Sequence, residues 1–268
     1  MVHASIVDGA SHTRLALFLM PPETLRSGHG VSWLAYVGMT EQKRAAEYAS
    51  PEEAMSYAAQ HTLMRCIAAT VLGVRDAEAS QIPVDRSCNL CLKSASHGKP
   101  RLEGVNLNMA RALGLAAGVY SASDTALGID LITVRDHYFD GFDRIALADY
   151  EKRVVDSLLP DQARLVRQML WCAKEAVLKA SGHGLSVKPN QVMLALPPLP
   201  TDIGSVHGLT AGAKAYLPEQ AEAVPFWITW QVYEDTHLVA VASKGPHHLE
   251  AQKVTAPYMV KRALTPPL

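Results

Sequence analysis

The chain has 268 residues, 49% apolar and 19% charged, with a formal net charge of −1. That balance suits a folded chain with a substantial core, built as one large domain or two small ones, and excludes a disordered protein. A charge near zero gives no electrostatic case for nucleic acid. The longest apolar runs, 15–20 and 114–120, are far below the roughly 20 residues of a membrane span. The first residues lack a basic stretch followed by an apolar one, so a cytoplasmic location and no membrane partner are expected.

Residues 15–20 and 32–37 have the apolar content of short strands or buried segments, and Pro21, Pro22, Gly28 and Gly30 mark a loop between them. From Thr40 a polar helix is expected, with Lys43 and Arg44 on a solvated face. Ser50-Pro51-Glu52-Glu53 then supplies an N-cap, a proline for the first turn and acids that favour a helix start. The helix it begins runs to about Leu72, before Gly73, with Tyr57, His61, Met64, Ala68 and Val71 near one stripe. His61 in that setting reads as a core or surface residue. Cys66 and Cys172 fall among apolar neighbours, where a free thiol behaves as a small hydrophobe. Cys88 and Cys91 have zinc-knuckle spacing and His97 could add a third ligand, but no fourth follows.

Strands are expected at 105–107, at 114–120 and into Asp130, then helices over 143–157 and 161–180 separated at Leu159-Pro160. Further strands follow at 192–196, 226–232 and 238–242. From residue 245 onward, Gly245-Pro246, the pair His247-His248 and a terminal Pro-Pro suggest a loose tail. The element order implies an α+β chain of two similar lobes related by a pseudo-twofold, each a small antiparallel sheet packed on a long helix. The lobes would be 1–126 and 127–244, with a tail at 245–268.

The chemistry concentrates at one helix and one strand. On the helix over 161–180, Trp171, Glu175 and Lys179 are four apart and share a face. Alone, such a pair is an exposed ion pair worth a few tenths of a kcal/mol. Here the helix is mostly apolar around its charges, the strand before it ends in the carboxylate of Asp130, and the helix exits through Gly182-His183-Gly184-Leu185. A strand-borne Asp and a helix-borne Glu that converge beside a lysine make a site for a hard divalent cation and a phosphate.

Gly98-Lys99-Pro100, Asn106-Leu107, Gly128-Ile129-Asp130, Trp171-Cys172-Ala173-Lys174-Glu175-Ala176 with Lys179, and Gly182-His183-Gly184-Leu185 come in the order and spacing of a known family. On these pieces, over roughly 40–242, the chain resembles the two-lobed, Sfp-type 4′-phosphopantetheinyl transferases. The resemblance implies a transferase of the holo-[acyl-carrier-protein] synthase type, serving a polyketide, peptide or fatty-acid synthase. It would move phosphopantetheine from coenzyme A to a serine of an acyl or peptidyl carrier protein and release adenosine 3′,5′-bisphosphate. It further implies Mg²⁺ held by Asp130 and Glu175, and Glu175 and Lys179 as the catalytic pair. Lys99, Lys174, Asn108, Arg111 and Arg44 would lie at coenzyme A, and the protein would be a monomer.

The sequence departs from the family at Ile132, where a second acid is usual, and at Asn108-Met109-Ala110, where Ser-His-Ser is usual. It departs again at Ser56, near a frequent arginine. Asp136 or Asp140 could stand in for the missing acid, or could cap a helix. These losses motivate an alternative: a non-catalytic relative that binds a carrier protein or nucleotide. Trp171 is expected to pack between the lobes, its indole N–H needing a partner.

Overall fold

The computed structural model describes residues 12–26, 36–87, 99–134 and 138–265. Cys88, Cys91, His97, Gly98 and Asp136, and all but the last two residues of the strand expected at 32–37, lie outside the described residues.

The fold is α+β, with two largely antiparallel sheets. The first has the order β2-β3-β1-β9, from Asn106–Ala112, Leu115–Ser121, Thr13–Met20 and His247–Lys253. The second has the order β4-β8-β7-β6-β5, from Leu127–Thr133, His237–Ser243, Val224–Tyr233, Thr210–Ala215 and Val192–Leu194. Helices α1 (Met39–Ala46) and α2 (Pro51–Leu72) precede β2; α3 (Phe142–Ala146), α4 (Asp149–Asp156) and α5 (Pro160–Ala180) follow β4; α6 is Pro257–Leu264.

Period-two alternation sorts each strand between two cores. Along β1, Phe18 and Met20 face α2 and pack with Leu63, Met64 and Ile67, while Leu15, Leu17 and Leu19 face the other sheet. There they meet Leu127, Ile129 and Leu131 of β4 and Val239 and Val241 of β8. The far side of the second sheet, with Trp230, Leu238 and Ala240, packs on Val166, Met169 and Val177 of α5. The order of layers is therefore α2, sheet, sheet, α5. Each fully buried leucine in the middle layer contributes about 1.5–3 kcal/mol, so the two sheets are held together by a core of their own.

The long helices start and stop where their caps dictate. At α2 the Ser50 hydroxyl accepts from Glu53 N, Pro51 opens the first turn and Gly73 closes the helix at φ +67°. Pro160 opens α5, and Gly182 at φ +81° turns the chain out of it. The helix expected over 143–157 is two helices, because Leu147 is extended and the Glu151 carboxylate accepts from Ala148 N to begin α4.

In the segment expected as a loose tail, residues 247–253 and 257–264 are a strand and a helix. Strand β9 pairs in parallel with β1 in the register Thr13↔His247 through Leu19↔Lys253, and α6 packs beside α2. Lys261 Nζ donates to Asp76 at 2.6 Å and ties α6 to the turn after α2.

Candidate active site

Strand β4 turns Leu127, Ile129 and Leu131 toward the first sheet, which leaves Gly128, Asp130 and Ile132 facing α5. The helix approaches β4 very closely at Gly128. A Cβ there would stand 2.0 Å from Ala176 O and 2.4 Å from Ala180 N, so only glycine permits this approach. Two residues on, the same face presents Asp130 beside the last turns of α5.

Lys179 Nζ donates to Asp130 Oδ1 at 2.5 Å. Glu175, one turn earlier on the helix, is 8% exposed, and its Oε1 has no hydrogen-bond partner. Burial, and then the charge of Asp130, raise its pKa to about 7 against the opposing pull of Lys179. Burial works to lower the pKa of Lys179, but the Asp130 carboxylate outweighs it and the net direction is upward. The site thus holds a firm cation on one carboxylate and a second carboxylate, its pKa raised, with a free oxygen.

Among the described residues no three His, Cys, Asp or Glu side chains cluster as a metal cage. A Mg²⁺ ion does not need one, since it keeps several waters and commonly takes one or two carboxylates plus substrate phosphates. The unpartnered oxygen of Glu175, a carboxylate that feels the charge of Asp130, fits that demand. Ile132, packed against the α5 core, adds no third carboxylate.

Four of the other expected ligand residues are engaged in the fold. Lys174 corrects the expectation of a coenzyme A contact. It is 0% exposed, and its ammonium donates to Ala146 O at 2.8 Å and Glu151 Oε2 at 2.5 Å, so a ligand cannot reach it. Lys99 donates to Leu127 O at 2.8 Å, bracing the start of β4; burial, then the neighbouring Arg101 and Lys179 cations, lower its pKa to about 8. Asn108 is buried, and its Oδ1 accepts from Ile129 N at 3.1 Å, which stitches β2 to β4 next to Asp130. Arg111 donates to Tyr48 Oη at 2.8 Å and lies over the Tyr48 and Tyr57 rings.

The altered positions are structural. Met109 is buried among α2 residues, with its sulfur in the space left by the missing side chain of Gly118. Ala110 belongs to the layer between the sheets, and the buried Ser56 hydroxyl accepts from Gly114 N. Asp140 is exposed. Trp171 does not pack between the sheets; it lies against Phe142 and Phe139, at 5.4 and 6.3 Å between ring centroids, on the second sheet's side.

Arg44 opens onto a cavity of about 540 Å³ beside α1 and α2. Its wall also carries Tyr57 and Arg86. Glu151, the partner of Lys174, had no signal in the sequence, since an acid at the third position of a helix ordinarily reads as a cap.

Residues 126–238 match the family model of the 4′-phosphopantetheinyl transferase superfamily. This match covers less than half of the chain and contains Asp130, Glu175 and Lys179, so it is the second half that is similar to that superfamily. No curated protein matches the chain at a meaningful level of similarity.

Proposed function

We propose that the protein transfers 4′-phosphopantetheine from coenzyme A to a serine of an acyl or peptidyl carrier protein, as a monomer, with its own Asp130, Glu175 and Lys179 as the reacting site. The observation that carries this reading is the free, buried oxygen of Glu175, one helical turn from the Lys179 that is paired with Asp130. A base with a pKa near the working pH is well placed to accept the proton of an attacking serine hydroxyl. Asp130 and Glu175 would hold Mg²⁺, which when bound screens the diphosphate charge. The Lys179 ammonium supplies a positive charge next to the phosphoryl group. Arg44 and Arg86 add cationic character to a cavity roomy enough for a nucleotide.

The test is mass spectrometry of an apo carrier protein incubated with the purified protein, coenzyme A and Mg²⁺. A gain of one phosphopantetheine is expected, and Asp130→Ala and Glu175→Gln should each abolish it. Full activity in both variants would reject these roles. The second reading, a relative that binds without transferring, is favoured by Ile132 and Met109, which bring no acid and no imidazole to their positions. It predicts coenzyme A binding that is weak and indifferent to Mg²⁺.

A further inference from the structure

Strand β4, which carries Asp130, is an end strand of the second sheet among the described residues, and side chains from the first half of the chain line its outer edge. In an antiparallel sheet, alternate residues turn both backbone groups toward the neighbouring strand and the residues between them turn theirs away. Just before and after β4, Ala126 O accepts from Lys244 N and Val134 N donates to Thr236 O, so the even positions serve the β8 side. The odd positions point outward. There Thr125 O accepts from Asn106 Nδ2 at 2.8 Å, Leu127 O from Lys99 Nζ at 2.8 Å, and Ile129 N donates to Asn108 Oδ1 at 3.1 Å.

Lys99 reaches beyond the strand. Its Nζ also lies 3.5 Å from Lys179 O in the last turn of α5, so one ammonium spans a carbonyl of the strand and a carbonyl of the helix. A cation suits that end of a helix, where the carbonyls carry partial negative charge. The contacts close into a ring. From Lys99 it passes to Leu127, along β4 to Asp130, from the Asp130 carboxylate to the Lys179 ammonium at 2.5 Å, and from the Lys179 carbonyl back to Lys99. Lys179 is thereby held at its backbone and at its ammonium, and Asn108 pins the residue before Asp130.

We propose that Lys99 is the positioning residue of the Asp130–Lys179 pair, with Asn108 as its support, and that the two set the place where the Asp130 carboxylate meets α5 and is offered to a divalent cation. The proposal deepens the transfer reading and rests on it only for the metal.

The first test leaves metal and substrate aside. A double-mutant cycle of Asp130→Asn and Lys179→Met, measured by urea denaturation, gives the coupling of the pair, and it is repeated in a Lys99→Met background and in an Asn108→Ala background. The coupling should fall by about half or more in each. The second test titrates the full chain with Mn²⁺, reading the free ion by its paramagnetic resonance, with thermal melting run on every variant. Lys99→Met should bind Mn²⁺ about ten- to a hundredfold more weakly, the loss typical of a residue that orients a metal ligand. The sign is diagnostic, because removing a nearby positive charge would by electrostatics alone tighten the binding of a cation. Lys99→Arg, which keeps donors for the carbonyls, should lose less than Lys99→Met. Lys261→Met, which cuts the tie from α6 to Asp76 away from this site, should lower the melting temperature and leave Mn²⁺ affinity unchanged. Intact coupling in both backgrounds overturns the proposal, as does tighter Mn²⁺ binding by Lys99→Met. Weakened coenzyme A binding with coupling and Mn²⁺ affinity intact would make Lys99 a ligand contact instead. Failure of the wild-type chain to bind Mn²⁺ would reject the metal role of Asp130 and Glu175, and the cycle would then decide the positioning role by itself.

Discussion

The α carbon of Gly128 lies so close to α5 that a Cβ on it would stand 2.0 Å from the carbonyl oxygen of Ala176. Both contacting atoms below 3 Å, Ala176 O and Ala180 N, are backbone, so neither can step aside as a side chain would. Gly128→Ala should force α5 away from β4 at the point where Asp130 and Lys179 meet. The cost expected for overpacking a tight core is about 1–3 kcal/mol. Chemical denaturation should show that loss, together with transfer activity reduced far more than stability. A variant with wild-type activity would mean that the Asp130–Lys179 contact does not depend on this approach.

Glu175 ties pH to both stability and activity. Its folded pKa of about 7 lies above the ordinary value near 4.5, so the fold favours the protonated acid. The stabilising contribution is full below pH 4.5 and is lost as pH rises through 7. Glu175→Gln is neutral at every pH and escapes that loss. It should match wild type in stability at pH 4.5 and exceed it at pH 8.5 by on the order of 2–3 kcal/mol. Transfer by the wild-type protein should rise over the same interval as the carboxylate becomes able to accept a proton. Parallel melting curves of the two proteins across pH 4.5–8.5 check the first expectation; a constant difference would place the Glu175 pKa elsewhere.

How far the sequence carries can be judged at particular residues. Asp130, Glu175 and Lys179 were legible because i,i+4 spacing on an uninterrupted helix fixes a shared face, and period-two alternation fixes which side of β4 carries Asp130. Lys174 shows the limit. It neighbours Glu175 in the chain, but one residue along a helix is a rotation of about 100°, which carries it off the Glu175 face to a fully buried side. Strand β6, with its Ala and Gly content, has little strand propensity of its own; it forms because Ala211, Ala213 and Ala215 are buried in alternation. Strand β9 is polar and owes its conformation to β1, more than 200 residues away, a pairing that no local pattern announces. The contact of Arg86 with His61, 25 residues apart, has no local signal for the same reason.

Lys174 and Glu151 form an ion pair in which both side chains are 0% exposed. Glu151 also accepts from Ala148 N and Leu194 N, so the pair joins α4, α5 and β5. Removing one partner strands a buried charge, which costs about 3–5 kcal/mol, whereas replacing both with apolar groups of similar volume is often close to neutral. Lys174→Met alone should be strongly destabilised in urea, and Lys174→Met with Glu151→Leu should recover most of that loss. Where the double variant folds, its coenzyme A affinity should equal wild type. Retained stability with lost affinity in Lys174→Met would instead put this lysine at the ligand.

Strand β9 covers one edge of β1, Val254 and Val260 are buried in the core that α2 shares with the first sheet, and Lys261 reaches Asp76. Deleting residues 245–268 would strip the hydrogen-bonding edge of β1, a strand apolar on both faces, and open the α2 core to water. The truncated chain should therefore aggregate or lose the first sheet, seen as rapid proteolysis within residues 36–121. The second sheet contains neither β1 nor β9, so fragments spanning Asp130 to Ser243 should persist longer. If instead the 245–268 deletion melted at the wild-type temperature, the parallel β1–β9 pairing would contribute no stability, and the first sheet would have to be held by α2 and the middle layer alone.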